Sequence, residues 1–248
     1  MPPRIHTDPP LATGTTVALP PGASRHVQVL RLQPGAELTL FDGQGGQWSA
    51  EVVEMGRKSV TARVLGHEAL ERELATRVTL ALGMPANERM DTVVEKATEL
   101  GAAAIQPLVC ERSVLRLAGE RAERKAAHWQ GVAVAACEQS GRNRVPMVHQ
   151  PQPLAAWLAA LPPAQAGELR LVLSLAEGTQ PLRSLLAACP SAASLRVLSG
   201  PEGGLSPVEL TAAAAAGFLP TTLGPRVLRA DTAPLAVLAS VATLETPA

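Results

Sequence analysis

Tyrosine is absent from this 248-residue chain, and only two phenylalanines and three tryptophans are present. So few rings argue against a nucleic-acid surface on which successive bases stack on aromatic side chains, so arginine planes would have to take that part. A net charge is also missing: 22 basic residues face 22 acidic ones, so no global field attracts a polyanion and any such binding must rest on a local patch. The three cysteines, Cys110, Cys137 and Cys189, are far apart and show no CxxC spacing. Neither a disulfide framework nor a zinc site is suggested; no metal is expected, and the three read as buried small hydrophobes. No stretch approaches the roughly 18 apolar residues that cross a bilayer, and Met1–Pro10 offers no apolar run for a signal peptide. A cytoplasmic location without membrane contact is the expectation.

Hydrophobic residues make up 46% of the chain and charged residues 18%, which is ample for a sizeable core. The length leaves one or two domains open, and the pattern along the chain favours two. Residues 1–74 carry short strand signals at 15–19, 37–41, 47–53 and 59–64. Turn clusters such as Pro34-Gly35 and Asp42-Gly43-Gln44-Gly45-Gly46 separate them, a small β-barrel pattern with one helical interruption at 25–31.

From residue 75 onward, buried apolar strands alternate with helices: 78–82, a helix from near Asn87 to a stop at Gly101, then 104–109. Later strands are expected at 169–175, 195–199 and 221–223, and the final helix from near Thr232 to near Leu244. Ser206-Pro207-Val208-Glu209 reads as a capping box with proline at the first helical position, and Gly217 as that helix's end. The Ala- and Pro-rich stretch 151–167 reads as a surface helix and loop. The fold class is α/β around a parallel sheet.

Two strings carry chemistry. Gly200-Pro201-Glu202-Gly203-Gly204-Leu205-Ser206 leaves an apolar strand and enters the capped helix. Its glycines permit positive φ and close approach of a ligand to the backbone, although the same residues also make ordinary turns, and spacing does not separate the two readings. Leu223-Gly224-Pro225-Arg226-Val227-Leu228-Arg229-Ala230-Asp231-Thr232 joins a strand to a helix. Asp231 or Thr232 could cap that helix, but capping gives no reason for the arginines. Both strings sit at the carboxyl ends of strands, where open α/β sheets bind ligands.

Together these strings closely resemble the second and third knot loops of the SPOUT methyltransferases, in particular the 16S ribosomal RNA uridine N3-methyltransferase family. The same family is resembled by Arg89-Met90 with Glu95 to Gly101, by Ala136 to Pro146, and by His26, Val29-Leu30-Arg31 and Phe41-Asp42-Gly43. The resemblance implies an N-terminal PUA-like β-barrel over residues 1–74, a C-terminal trefoil-knotted methyltransferase domain over 75–248, and a homodimer. One departure is clear: the family usually has Thr-Glu-Thr-Ala where this chain has Ala230-Asp231-Thr232-Ala233, so the acid is kept one methylene shorter.

The implied activity is S-adenosyl-L-methionine-dependent methylation of a uridine in 16S ribosomal RNA, free or within the assembled small subunit. Cofactor contacts are expected from Leu173, Ser174, Leu198, Ser199, Gly200, Pro201, Glu202, Gly203, Gly204, Leu223, Gly224, Arg226, Val227 and Leu228. RNA contacts are expected from His26, Arg31, Arg142 and Arg144. Arg229 is expected to stabilise the uracil anion and Asp231 or Glu138 to accept its proton, two assignments the sequence does not choose between. A related enzyme acting on transfer RNA, or an inactive RNA-binding protein, are the competing readings; the intact glycine loop weighs against the second.

Overall fold

The computed structural model describes residues 2–57, 59–86 and 89–245, in two compact units. The first comprises the chain up to Glu73 together with Val134–Val145, and the second Leu74–Ala133 together with the chain from Pro146 onward.

In the first unit, β1 (Arg4–His6), β2 (Thr16–Ala18), helix α1 (Pro21–Val29), β3 (Glu37–Phe41), β4 (Gln47–Met55) and β5 (Val60–Glu68) follow in order. They make one mixed five-stranded sheet, β1-β3-β4-β5-β2, in which only β1 and β3 run parallel. Period-two alternation decides which face is buried: Ala50 and Val52 in β4 and Val60, Ala62 and Val64 in β5 are almost wholly covered, while Glu51 and Arg63 between them pair outside. The β3–β4 turn uses Gly43, Gly45 and Gly46 at positive φ, and the Asp42 carboxylate accepts from the Gln44 amide at 2.9 Å.

Helix α1 ends in a Schellman arrangement, with the Leu32 amide donating to Val27 and the Arg31 amide to Gln28. Its left-handed position, normally glycine, is held by Arg31 at φ 54°.

The second unit holds β6 (Arg77–Gly83), α2 (Arg89–Glu99), β7 (Ala104–Val109), most of α3 (Gly119–Ser140), β8 (Met147–Val148), β9 (Gln152–Pro153) and α4 (Leu154–Ala160). Then come β10 (Glu168–Leu173), β11 (Gln180–Pro181), α5 (Leu182–Ala188), β12 (Ser194–Ser199), α6 (Pro207–Ala215), β13 (Leu219–Thr222) and α7 (Thr232–Leu244). The sheet order is β11-β13-β10-β12-β6-β7-β8, with β9 also on β7 and every pairing parallel. Strands β6, β10 and β12 are mostly apolar and buried on both faces, with Glu168, Arg170 and Arg196 as a paired exception, because helices cover both sides of such a sheet. Each fully buried Leu or Val contributes about 1.5–3 kcal/mol of transfer free energy.

Trp129, 1% exposed, satisfies its indole N–H on Asp91 at 2.9 Å, which ties α3 to α2. Burial raises the Asp91 pKa, but hydrogen bonds from His128 and Trp129 outweigh it and leave the carboxyl below its ordinary value. At the opposite end of the sheet from the strand carboxyl ends, Glu168 of β10 binds Arg170 and Arg196.

Several expectations are corrected. The stretch 151–167 is no surface helix throughout: α4 buries Leu154, Trp157 and Leu158 in the core with Phe218, because its apolar residues fall on one face. Cys189 is exposed, whereas Cys110 and Cys137 are buried as expected. The last strand is Leu219–Thr222, earlier by two residues at its start. The helix start near Asn87 lies outside the described residues, and α2 is described from Arg89.

Candidate active site at the carboxyl ends of three strands

Strands β13, β10 and β12 are adjacent and parallel, so the loops that leave them stand side by side. Between these loops lies a cleft of about 580 Å³, within the range of small-molecule sites. The β10 loop contributes Leu173, Ser174 and Leu175; the β12 loop Ser199 to Glu202, Gly204 and Leu205; and the segment after β13 Leu223 and Arg226–Ala230. Arg89, Leu210, Thr221 and Ala233 complete the lining. Leucine walls beside backbone amides and the hydroxyls of Ser174, Ser199 and Thr221 suit a ligand with a flat apolar base and a polar tail, which fits the adenosine of S-adenosyl-L-methionine.

The β12 loop is tightly built. Gly204, at φ 68°, donates its amide to the Pro201 carbonyl at 2.8 Å. A Cβ at Gly200 would meet the backbone of Gly204 and Leu205 at 2.9 Å, so no larger residue fits there without moving the loop. Gly83 at the end of β6 is as confined, because a Cβ there would lie 2.5 Å from the Pro201 ring and 2.9 Å from the Cys110 sulfur. Burial first, and then Glu209, push the Cys110 thiol up to about 12, so it is no nucleophile at neutral pH.

Neighbouring segments latch this loop. Ser206 caps α6 by accepting from the Glu209 amide, and Glu209 Oε2 accepts from the Ser206 amide at 2.8 Å, the capping box the sequence indicates. The other Glu209 oxygen accepts from the Glu111 amide at 2.8 Å, and Arg112 Nη1 donates to the Gly203 carbonyl at 3.0 Å. Glu202 Oε1 accepts from the Ala86 amide at 2.9 Å and lies 3.5 Å from Arg89 Nη1.

Of the expected cofactor residues, eleven line the cleft; Leu198, Gly203 and Gly224 do not. Leu198 is fully buried in the core, and Gly203 faces Arg112. Arg229 lines the cleft, and the side chains of Arg226 and Arg229 make no hydrogen bond or ion pair among the described residues. Asp231 stands at the N-cap of α7 but makes no capping bond: its backbone is already helical, and its carboxylate accepts from the Thr232 hydroxyl instead. Arg89, Leu175, Leu205 and Leu210 also line the cleft, beyond the expected cofactor residues: Arg89 and Leu205 lie within the quoted motifs, and Leu210 lies outside them on α6 and reaches the cleft through the fold.

The remaining expected residues belong to the first unit. Glu138 accepts from the His6 amide at 2.9 Å through Oε1, and its Oε2 lies 3.5 Å from His26 Nδ1, so both oxygens are engaged. Arg142 is corrected as a phosphate contact: it is 3% exposed and its guanidinium is bound to Glu73. Its neighbour Asn143 is wholly buried, accepting from Arg4 and donating to the Leu70 carbonyl. Arg31 and Arg144 are exposed, Arg144 beside Glu71 at 3.3 Å.

Comparison with known proteins agrees with this geometry. Residues 72–242 match the model of the RNA methyltransferase domain, and residues 19–65 that of the RNA methyltransferase PUA domain. The chain is 34% identical to ribosomal RNA small subunit methyltransferase E of Synechocystis over 97% of its own length and 77% of the relative's. The same enzyme of Bacillus subtilis is 30% identical, over 87% of this chain and 84% of the relative. Among solved structures, the Neisseria gonorrhoeae enzyme of that name, bound to S-adenosyl methionine, superposes with a TM-score of 0.90 at 37% identity, covering 98% of both chains. A Legionella pneumophila methyltransferase in complex with the same cofactor gives 0.89 at 33% identity over 97% of each chain. With the RNA methyltransferase domain matched over residues 72–242 and relatives at 30% and 34% identity over most of both chains, the chain belongs to the ribosomal RNA small subunit methyltransferase E family.

Proposed function

We propose that the protein transfers a methyl group from S-adenosyl-L-methionine to N3 of a uridine in 16S ribosomal RNA of the small subunit. The observation that carries this reading is the cleft itself: a glycine loop shaped for close approach and, beside it, Arg229 with its guanidinium uncommitted. The cofactor supplies an electrophilic methyl group on its sulfonium sulfur. Leucine side chains around the cleft exclude water, and the backbone of the β12 loop and of residues 223–228 orients the bound molecule.

Uracil N3 bears a proton and is a weak acid, so attack by N3 requires that this proton leave while negative charge spreads onto the flanking carbonyl oxygens. Arg229 stabilises that charge, an interaction that strengthens only as the charge develops. Asp231, next to the lining residue Ala230 and accepting from the Thr232 hydroxyl, or Glu138, whose two oxygens meet His6 and His26, accepts the proton. A covalent enzyme intermediate is unnecessary.

Residues 1–74 act as a PUA-like barrel that holds RNA through His26 and Arg31, with Arg144 of the segment Val134–Val145 in the same unit, and residues 75–248 otherwise act as the knotted catalytic domain. The protein works in the cytoplasm as a homodimer. Helix α7, apolar around most of its circumference and ending in Leu244 at 67% exposure, supports a covered apolar surface. No helix among the described residues is long and apolar enough to cross a membrane.

The test is incubation of the purified protein and cofactor with unmodified small-subunit ribosomal RNA and, separately, transfer RNA, followed by nucleoside mass spectrometry. 3-Methyluridine in ribosomal RNA is the expected product. Methylation of transfer RNA alone, or of neither transfer RNA nor ribosomal RNA supplied both free and within assembled small subunits, refutes the reading. Light scattering at twice the chain mass tests the dimer.

A further inference from the structure

The charged residues lining the cleft are Arg89, Arg226, Arg229 and Glu202, three cations against one anion in a chain of zero net charge. The cofactor that the cleft is read to bind carries two positive groups, sulfonium and ammonium, against one carboxylate. A surplus of arginine around a net cation is electrostatically unfavourable unless an anion enters the same cleft. Arg229 is accounted for by charge that develops on the reacting base. Arg89 has no such account.

Its placement is specific. Arg89 opens the described part of α2, and the next residue, Met90, is completely buried, as are Val93 and Val94, so the inner face of the helix is fixed and Arg89 is left at the cleft. Its side chain is 43% exposed. Glu202 approaches one Nη at 3.5 Å while the same oxygen is held by the Ala86 amide at 2.9 Å. A contact this long on half-exposed groups orients the guanidinium without consuming it, because arginine offers five N–H donors and this contact occupies one.

The contrast with other arginines of the second unit is direct. Arg170, 3% exposed, spends its donors on the Ala216 and Pro162 carbonyls and on Glu168, and Arg112 donates to the Gly203 carbonyl. Arg89 is aimed, accessible and largely unspent.

We propose that Arg89 binds an oxyanion at the mouth of the cofactor cleft, namely a backbone phosphate of the RNA strand that delivers the target base, with Glu202 as the residue that positions it. The inference rests on the RNA methyltransferase reading above. A planar guanidinium suits a phosphate because it can donate two parallel hydrogen bonds to it. The contact fixes the strand's register at the cleft without reading its sequence.

Binding of unmodified small-subunit ribosomal RNA is measured over a salt series for the wild type, Arg89→Ala and Arg89→Lys, with cofactor affinity measured in parallel by calorimetry. For Arg89→Ala the expected result is RNA affinity weakened about tenfold near 0.1 M salt and a log–log salt slope lower by about 0.7–0.9. Cofactor affinity stays within about twofold of wild type, which also shows that the cleft is folded. Arg89→Lys restores the slope, since lysine supplies the same charge, but not the full affinity. Weakened cofactor binding with an unchanged RNA slope overturns the proposal and assigns Arg89 to the cofactor's carboxylate. No change in either quantity overturns it too, leaving Arg89 as a neighbour of Glu202 only. A wild-type protein that neither binds nor methylates ribosomal RNA sinks the underlying reading instead, and that result is read before any variant is made.

Discussion

Arg170 donates from Nη2 to Oε2 of Glu168 at 2.9 Å, two residues along β10 on the same face, and the two side chains are 2% and 5% exposed. Burial alone would raise the Glu168 pKa, but hydrogen bonds from Arg170 and Arg196 outweigh it and hold the carboxyl at about 2. A depressed acid stabilises the fold fully above its unfolded pKa, and the contribution fades as pH falls from about 4.5 through about 2. At neutral pH the shift corresponds to about 3 kcal/mol as an upper figure. Glu168→Gln should therefore lower unfolding free energy in urea at pH 7 and narrow its deficit against wild type by pH 3. Parallel stability curves from pH 7 to pH 3 would contradict the assignment.

Gly200→Ala is expected to weaken S-adenosyl-L-methionine binding by roughly tenfold or more, because the new Cβ would lie 2.9 Å from the backbone of Gly204 and Leu205 and the loop must shift. Gly204→Ala meets no atom but has to hold φ at 68°, so it should lose stability more than affinity. Calorimetric titration with thermal melting of both variants distinguishes the two, and affinities unchanged from wild type in both would show that the loop does not touch the cofactor.

Replacing Arg229 by alanine should reduce single-turnover methylation at saturating RNA by roughly 10²-fold, with a much smaller change in RNA affinity, since the interaction exists mainly in the transition state. A loss confined to RNA affinity would make Arg229 another phosphate contact.

Arg31 occupies a left-handed position where a Cβ costs about 1 kcal/mol or more. The Arg31→Gly substitution should raise the melting temperature by about 2–4 °C while weakening RNA binding, a trade expected when strain is retained for function. A variant more stable and equally good at binding RNA would remove Arg31 from the interface.

The pattern of the chain displays much of this in advance, for identifiable reasons. β3 and β7 fall on the expected residues, Glu37–Phe41 and Ala104–Val109, because turn residues bound apolar runs of strand length on both sides. The α6 capping box is a local event in which Ser206 and Glu209 satisfy each other's backbone. β1, β8, β9 and β11 are two or three residues long and exist only through pairing with distant strands, which no local pattern announces. The glycine loops of the site are visible as motifs, and Arg226 and Arg229 stand out because nothing structural explains them. Arg89 and Leu210 reach the cleft through tertiary packing, and the burial of Arg142 depends on Glu73, 69 residues away.

The first unit draws its last stretch, Val134–Val145, from deep within the chain. Recombination that exchanged only the leading 73 residues for a foreign module would strand Asn143 and Arg142, whose buried groups are satisfied by Arg4, Leu70 and Glu73. Each orphaned donor or acceptor costs about 1–3 kcal/mol, and an unpaired guanidinium more. Domain shuffling at that junction is therefore penalised unless the downstream dodecapeptide travels with the leading segment, so the two pieces should be inherited as one block, with their substitutions coupled across the intervening catalytic sequence.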